Sequence, residues 1–90
     1  MKQAKILIYG TVQGVFFRKF VKDNAVNLGV KGYVKNLDDG SVEAVLIGEE
    51  EKVEELIIRC WKGPDGSKVV RLVIKNLLGD IDFPDFQVLH

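Results

Sequence analysis

Cysteine and histidine are almost absent from this sequence, and each is represented by a single residue. With Cys60 alone, no disulfide can form within the chain and no cysteine-based metal cluster can assemble. The only histidine, His90, is the last residue, and we expect it to be frayed and solvated. A zinc site therefore lacks ligands, and we predict neither a metal nor any other cofactor.

Long apolar runs and an excess of charge of either sign are also missing. No stretch approaches the roughly 20 apolar residues that a membrane span needs. The first ten residues, MKQAKILIYG, lack the apolar core and cleavage site of a signal peptide, so we expect a cytoplasmic protein. Thirteen basic residues balance thirteen acidic ones, which argues against steering to nucleic acid or to an acidic membrane. Any anion site must be created locally.

The chain is long enough for one small hydrophobic core, and we predict a single domain over residues 1–90. Runs rich in β-branched residues alternate with segments whose apolar residues recur every three or four positions. This pattern predicts strands at 4–10, 31–36, 41–48 and 68–75, a short edge strand at 85–90, and helices at 17–28 and 49–62.

The order of these elements is β-α-β-β-α-β with a further edge strand. It predicts an α+β fold of the ferredoxin-like, split βαβ type, with two helices on one face of an antiparallel sheet. In this topology the first two strands are parallel and the third lies between them. Their carboxyl ends meet at one edge, so the loop after Gly10 and the end of the second strand at Asn36 should be neighbours.

The segment GTVQGVFFR, residues 10–18, joins the first strand to the first helix. Its glycines permit backbone angles that other residues avoid, and the amides at a helix start have no intrahelical partners. Such amides form a ready anion site, and Arg18 can add a forked guanidinium contact. The spacing excludes a P-loop and a dinucleotide fingerprint. The alternative is a plain strand-to-helix connection with Arg18 as a surface residue.

GTVQGVFFRKF resembles the first signature of the acylphosphatase family, G-x-V-Q-G-V-x-F-R, and GYVKNLDDGSVEAVLIG at 32–48 resembles the second. The resemblance implies hydrolysis of the carboxyl–phosphate bond of small acyl phosphates, with inorganic phosphate as product and competitive inhibitor. It further implies that Arg18 binds the phosphoryl group and that Asn36 orients the attacking water. The substrate-binding residues it implies are Gln13, Gly14, Val15, Phe16, Phe17 and Arg18.

The sequence also supports expectations about the pH dependence of the enzyme and about individual side chains outside the proposed catalytic pair. With no histidine expected near the site, no enzyme group there should titrate near neutrality, and kcat should be nearly flat between pH 6 and 8. Phe16 fills a position that is often small in the family, where it could stack on a ligand or pack over the loop. Glu43, Glu54 and Glu55 are expected to be solvated.

The main alternative function is a non-catalytic ferredoxin-like module that binds RNA or a small anionic ligand. KGYVK at 31–35 is similar to the start of an RNA-recognition aromatic motif, but it lies on the second strand instead of the third. Turnover of an acyl phosphate would reject this alternative. We expect a free-standing, monomeric enzyme that binds neither nucleic acid nor membrane.

Overall fold

A computed structural model describes residues 1–79 and 81–90 of the chain. Its elements, in chain order, are β1 Lys2–Thr11, α1 Phe17–Leu28, β2 Lys31–Asn36, β3 Val42–Gly48, α2 Glu50–Lys62, β4 Lys68–Asn76 and β5 Phe86–Leu89. All seven predicted elements are present; the bounds of α1 and β2 match the predicted ones, and those of the other five differ by one or two residues. Neither helix in these described ranges is long and apolar enough to cross a membrane.

The five strands form one sheet in the order β4-β1-β3-β2-β5. Because β3 is antiparallel to both β1 and β2, those two strands are parallel to each other. The α+β ferredoxin-like fold is confirmed. The edge strand β5 adds a parallel pair with β2, in which Gly32 is opposite Phe86 and Lys35 is opposite Leu89. The sheet is therefore mixed, and the carboxyl ends of β1, β2 and β5 lie at the same edge.

The hydrophobic core lies between one face of this sheet and the two helices. In β1 every second side chain is fully buried, namely those of Ala4, Ile6 and Ile8, as the two-residue period of a strand requires. In the helices the buried residues recur every three or four positions: Phe17, Val21 and Ala25 in α1, and Val53, Leu56, Ile57 and Cys60 in α2. Packing of these stripes fixes where α1 begins, and with it the loop that precedes it.

Glu43, on the sheet face opposite the helices, corrects the expectation of a solvated side chain. It is only 7% exposed, and its carboxylate lies 3.0 Å from Lys5 Nζ and 3.5 Å from Lys35 Nζ. The Tyr33 hydroxyl donates a 2.9 Å hydrogen bond to it. Since β3 is the central strand, its neighbours on both sides bring polar partners to this carboxylate, and those partners allow its burial.

Candidate active site

Two glycines shape the path from β1 to α1: Gly10 near the end of β1 and Gly14 in the loop between the two elements. Gly10 has φ 134°, and a Cβ there would collide with the carbonyl oxygen of Lys68, because β1 and β4 shift register at this point. Gly14 has φ 76° with open space around it, so its backbone angle alone favours glycine. These two positions turn the chain from the sheet edge into α1.

The backbone amides of this loop are available to a ligand. Within the described residues, no amide from Gln13 to Arg18 donates to a backbone carbonyl. The first such bond at the start of α1 joins the Phe20 amide to the Phe16 carbonyl at 3.0 Å, and no side chain caps the helix. Free donors at a helix N-terminus attract anions, both by hydrogen bonding and through the helix dipole.

Arg18, in the first turn of α1, is held by the end of β5. Its Nη1 donates a 3.0 Å hydrogen bond to the Leu89 carbonyl and lies 3.1 Å from His90 Nδ1. The expectation that no histidine lies near the site is therefore wrong, although the His90 side chain is exposed as expected. The cause is the parallel pairing of β5 with β2, which ends β5 at the edge where α1 begins. The nearly flat kcat profile between about pH 6 and 8 stays a prediction.

Asn36, the last residue of β2, faces the same cavity as Arg18. Its Oδ1 is buried and has no hydrogen-bond partner among the described residues. An unpaired buried amide oxygen is costly, about 1–3 kcal/mol. A side chain in this state at the edge of a cavity is suited to bind a water molecule or a ligand group that enters.

Gln13 anchors the loop to the turn between β2 and β3. Its Nε2 donates to the Leu37 carbonyl at 2.8 Å and to the Ser41 carbonyl at 2.9 Å. The side chain thus links the loop to the residue directly after Asn36. Neither Gln13 nor Val15 lines the cavity, and Val15 packs partly against the core.

The cavity has a volume of about 400 Å³ and brings together most of the residues singled out from the sequence. Gly14, Phe16, Phe17, Arg18 and Asn36 all line it. Five further residues that the sequence reasoning did not assign also line it: Val12, Lys19, Lys22, Val88 and His90. Lys22 follows Arg18 by four positions, so the helical spacing was a usable signal for it.

A larger cavity of about 560 Å³ lies at the other end of β1, between the start of α2 and the end of β4. Its lining combines Glu49 and Glu50 with Lys2 and Met1, and it contains neither Arg18 nor Asn36. The chemistry argued from the sequence therefore belongs to the smaller cavity.

Metal ligands and a reactive thiol are not features of this site. Within residues 1–79 and 81–90, no group of three or more His, Cys, Asp or Glu side chains is placed to hold a metal ion. Cys60 is fully buried in α2, and this burial raises the pKa of its thiol to about 12. A thiol with such a pKa is a poor nucleophile at neutral pH.

Comparison with known proteins identifies the family of the chain. The sequence model of the acylphosphatase family matches residues 4–88. The chain belongs to the acylphosphatase family. As an acylphosphatase-family member it is an enzyme of the acyl phosphate hydrolase class, which decides against a non-catalytic binding module.

Individual acylphosphatases match over nearly their whole length. The acylphosphatase of Nitrosococcus oceani is 53% identical over 86 residues, which are 96% of this chain and 92% of that protein. The acylphosphatase of Pasteurella multocida is 39% identical over the full length of both chains. The crystal structure of the Bacillus subtilis acylphosphatase superimposes with a TM-score of 0.96 at 32% identity and covers both chains completely.

Proposed function

We propose that the cavity between the β1–α1 loop and the end of β2 hydrolyses small acyl phosphates to a carboxylate and inorganic phosphate, with Arg18 and Asn36 as its catalytic residues. The observation that supports this most directly is their shared cavity. One wall supplies a guanidinium and unpaired amides, and the other supplies a carboxamide whose buried oxygen has no partner among the described residues. A phosphate and a water fit these two kinds of group.

In the proposed complex, the phosphoryl group lies against the loop amides from Gln13 to Arg18. The Arg18 guanidinium neutralises charge on the equatorial oxygens as it develops in the transition state. Because Arg18 is already fixed by the Leu89 carbonyl, little side-chain entropy remains to be lost on binding. Inorganic phosphate would bind the same groups and compete with the substrate.

Asn36 has the proposed role of holding a water in line with the bond that breaks. Its carboxamide lies at the edge of the cavity, from where it can hydrogen-bond the water. The water oxygen attacks phosphorus, the bond between phosphorus and the carboxyl oxygen breaks, and the carboxylate leaves with the electron pair. Since a carboxamide does not act as a base, the water's proton passes to a phosphoryl oxygen.

This scheme needs few ionisable groups because the leaving group is a carboxylate, which departs without protonation. Phosphoryl transfer of this kind depends on positioning and on charge stabilisation. The residues that line the cavity match that need: they include cations and amide groups, and none of them is a carboxylate.

Substitution of Arg18 tests the proposal. Arg18→Ala should lower kcat/KM for benzoyl phosphate by about 10³–10⁵-fold, as expected for loss of an arginine that stabilises a phosphoryl transition state. Arg18→Lys should recover little of it, because an ammonium lacks the planar fork. Arg71→Ala is the matched control, since Arg71 is exposed on β4 and stacks over Tyr9, outside the cavity. A folded Arg18→Ala protein with wild-type turnover would exclude this role.

A further inference from the structure

Phe16 is the one aromatic residue of the loop that packing does not explain. Its side chain is 80% exposed, although it lines the cavity beside Gly14 and Arg18. Phe17, its neighbour, is 1% exposed and belongs to the core. Of the two alternatives that the sequence left open for Phe16, this exposure disfavours packing over the loop, and burial gives no reason for a ring at this position.

The backbone of Phe16 gives no reason for a phenylalanine either. At φ 61° and ψ 28° it lies in the left-handed region, where it is the only residue other than glycine with positive φ in the described part of the chain. Bulky residues rarely adopt this conformation, and glycine adopts it without cost. As the residue before α1, Phe16 also makes no side-chain cap. Folding alone would favour glycine or asparagine here.

The ring is placed where the non-reacting part of a substrate must lie. A phosphoryl group bound at the loop amides directs its acyl substituent away from the water held by Asn36, because attack and departure are in line. The acyl group therefore extends toward the mouth of the cavity. Among the apolar residues that line it, Val12 and Phe17 are core residues with 1% exposure, whereas Phe16 presents an open ring.

From this placement we infer that Phe16 contacts the acyl group of the substrate and makes the enzyme prefer apolar acyl groups, aromatic ones in particular. The inference rests on the proposed function of Arg18 and Asn36. An aromatic acyl group can stack on the ring in an offset or edge-to-face arrangement, and the contact removes apolar surface of both partners from water. A two-carbon acetyl group is too short to cover much of the ring.

Two lysines of the same cavity would favour a different class of substrate, acyl phosphates whose acyl group is negatively charged. Lys19 and Lys22 line the same cavity, and they would favour an acyl group with its own carboxylate. Lys19 is already paired with Asp23 at 2.7 Å, which leaves less of its charge for a ligand. The two preferences are separable because removal of the Phe16 ring leaves both lysines in place.

The experiment compares benzoyl phosphate with acetyl phosphate for the wild type, Phe16→Ala, Phe16→Gly and Phe16→Leu. In the Ala and Gly variants the ratio of kcat/KM for benzoyl over acetyl phosphate should fall by about 3- to 10-fold, the scale of one lost aromatic pair. Phe16→Leu should fall between these variants and the wild type. Phe16→Gly should melt at a higher temperature than Phe16→Ala because glycine suits the backbone angle, although both lose the ring. Leu78→Ala is the control, since Leu78 is 94% exposed and lies outside the cavity.

Different results would overturn the role of Phe16 and the proposed hydrolysis of acyl phosphates. A wild type that hydrolyses both substrates, with a ratio that stays within twofold in both Phe16→Ala and Phe16→Gly, overturns the inference alone. Equal losses for both substrates would likewise assign Phe16 to the shape of the loop and overturn it. A wild type that hydrolyses neither substrate overturns the proposed function and the inference with it.

Discussion

At the scale of single residues, Arg18 is supported by contacts that lie far away in sequence. The Leu89 carbonyl and His90 Nδ1 both lie within 3.1 Å of its Nη1. These contacts occupy one guanidinium nitrogen and leave the others for an anion. An arginine held in this way is preorganised, so binding energy is not spent on ordering it.

We predict that His90 acts by positioning Arg18. His90→Ala should lower kcat/KM for benzoyl phosphate by about 2- to 10-fold, the effect of one net hydrogen bond of about 0.5–1.5 kcal/mol. The loss stays modest because the Leu89 carbonyl still holds the guanidinium. Steady-state kinetics and the inhibition constant of inorganic phosphate measure the effect.

The conservative variant distinguishes positioning from a general structural role. His90→Gln supplies an amide oxygen that can accept from Arg18 Nη1, so it should recover part of the activity that His90→Ala loses. Both variants should have the melting temperature of the wild type, because His90 is exposed. Equal activity of His90→Ala and the wild type would contradict the assignment.

Of the residues around Arg18, some could be predicted from the sequence and others could not. Arg18 and the amides before it follow from a strand, a glycine-rich turn and a helix start, all of which are local features. His90 could not be found in the same way, because its position depends on the direction of β5, and local pattern does not distinguish a parallel from an antiparallel edge strand. The exposure of Phe16 likewise depends on how the loop sits on the core.

At the scale of structural elements, the β1–α1 loop and the β2–β3 turn behave as one unit. Gln13 joins them through two hydrogen bonds from a single amide group. The turn is itself ordered by Asp39, whose Oδ1 accepts a 2.9 Å hydrogen bond from the Ser41 amide. The distance between the phosphate loop and Asn36 therefore depends on the Gln13 side chain.

We predict that Gln13→Ala weakens both stability and phosphate binding. The Leu37 and Ser41 carbonyls each lose one donor and keep a backbone one, from the Gly40 and Leu37 amides respectively. The loss of two hydrogen bonds, each of about 0.5–1.5 kcal/mol net, should lower the free energy of unfolding by about 1–3 kcal/mol. The loop should also become less ordered, so the inhibition constant of inorganic phosphate should rise. Urea unfolding and competition kinetics measure the two effects. Gln87→Ala, exposed on β5, is the matched control.

One combination of the stability and phosphate-binding results for Gln13→Ala would contradict this prediction. Destabilisation without any change in phosphate binding would mean that the loop keeps its shape without the tether. In that case the Gln13 side chain would contribute to folding only and not to the geometry of the phosphate loop.

The order and type of the elements were predictable because the apolar residues follow a clear two-residue period in β1 and a clear three-to-four-residue period in α1 and α2. The neighbourhood of the β1–α1 loop and Asn36 followed from topology alone, since parallel strands that flank a common partner end at the same edge. The tether by Gln13 was not predictable, because nothing in the local pattern indicates which carbonyls a glutamine side chain reaches.

At the scale of the whole molecule, the sheet face opposite the helices is organised around the buried carboxylate of Glu43. Burial acts to raise the pKa of Glu43, but hydrogen bonds from Lys5 and Tyr33 and the charges of Lys5 and Lys35 outweigh it, so the pKa is lowered. Burial and the hydrogen bond to Glu43 raise the pKa of Tyr33 to about 12. The side chains of this cluster come from three adjacent strands: Lys5 from β1, Glu43 from β3, and Tyr33 and Lys35 from β2.

We predict a pH-dependent contribution of Glu43 to stability. Its lowered pKa means that the stabilisation is complete above its ordinary pKa of 4.5 and is lost as the pH falls through the value in the folded state. Glu43→Gln should therefore cost about 1–2 kcal/mol at pH 7, with the half-exposed lysines discounted, and much less at pH 3. Urea unfolding at both pH values gives the difference.

Glu54→Gln, on the exposed face of α2, is the matched control and should change stability little at either pH. A loss in Glu43→Gln that is the same at pH 7 and pH 3 would contradict the ionic account of this cluster. It would assign the effect to packing of the side chain instead.

The division of labour between Arg18 and Asn36 is the central claim, and kinetics of Asn36→Ala test it most directly. With benzoyl phosphate, kcat should fall by about 10²–10³-fold, the scale for loss of one oriented hydrogen-bonding group at a reacting centre. The inhibition constant of inorganic phosphate should stay within about twofold of the wild type, because Arg18 and the loop amides remain. Asn76→Ala, outside this cavity, should match the wild type in both. Unchanged kcat, or weakened phosphate binding with kcat retained, would contradict the account.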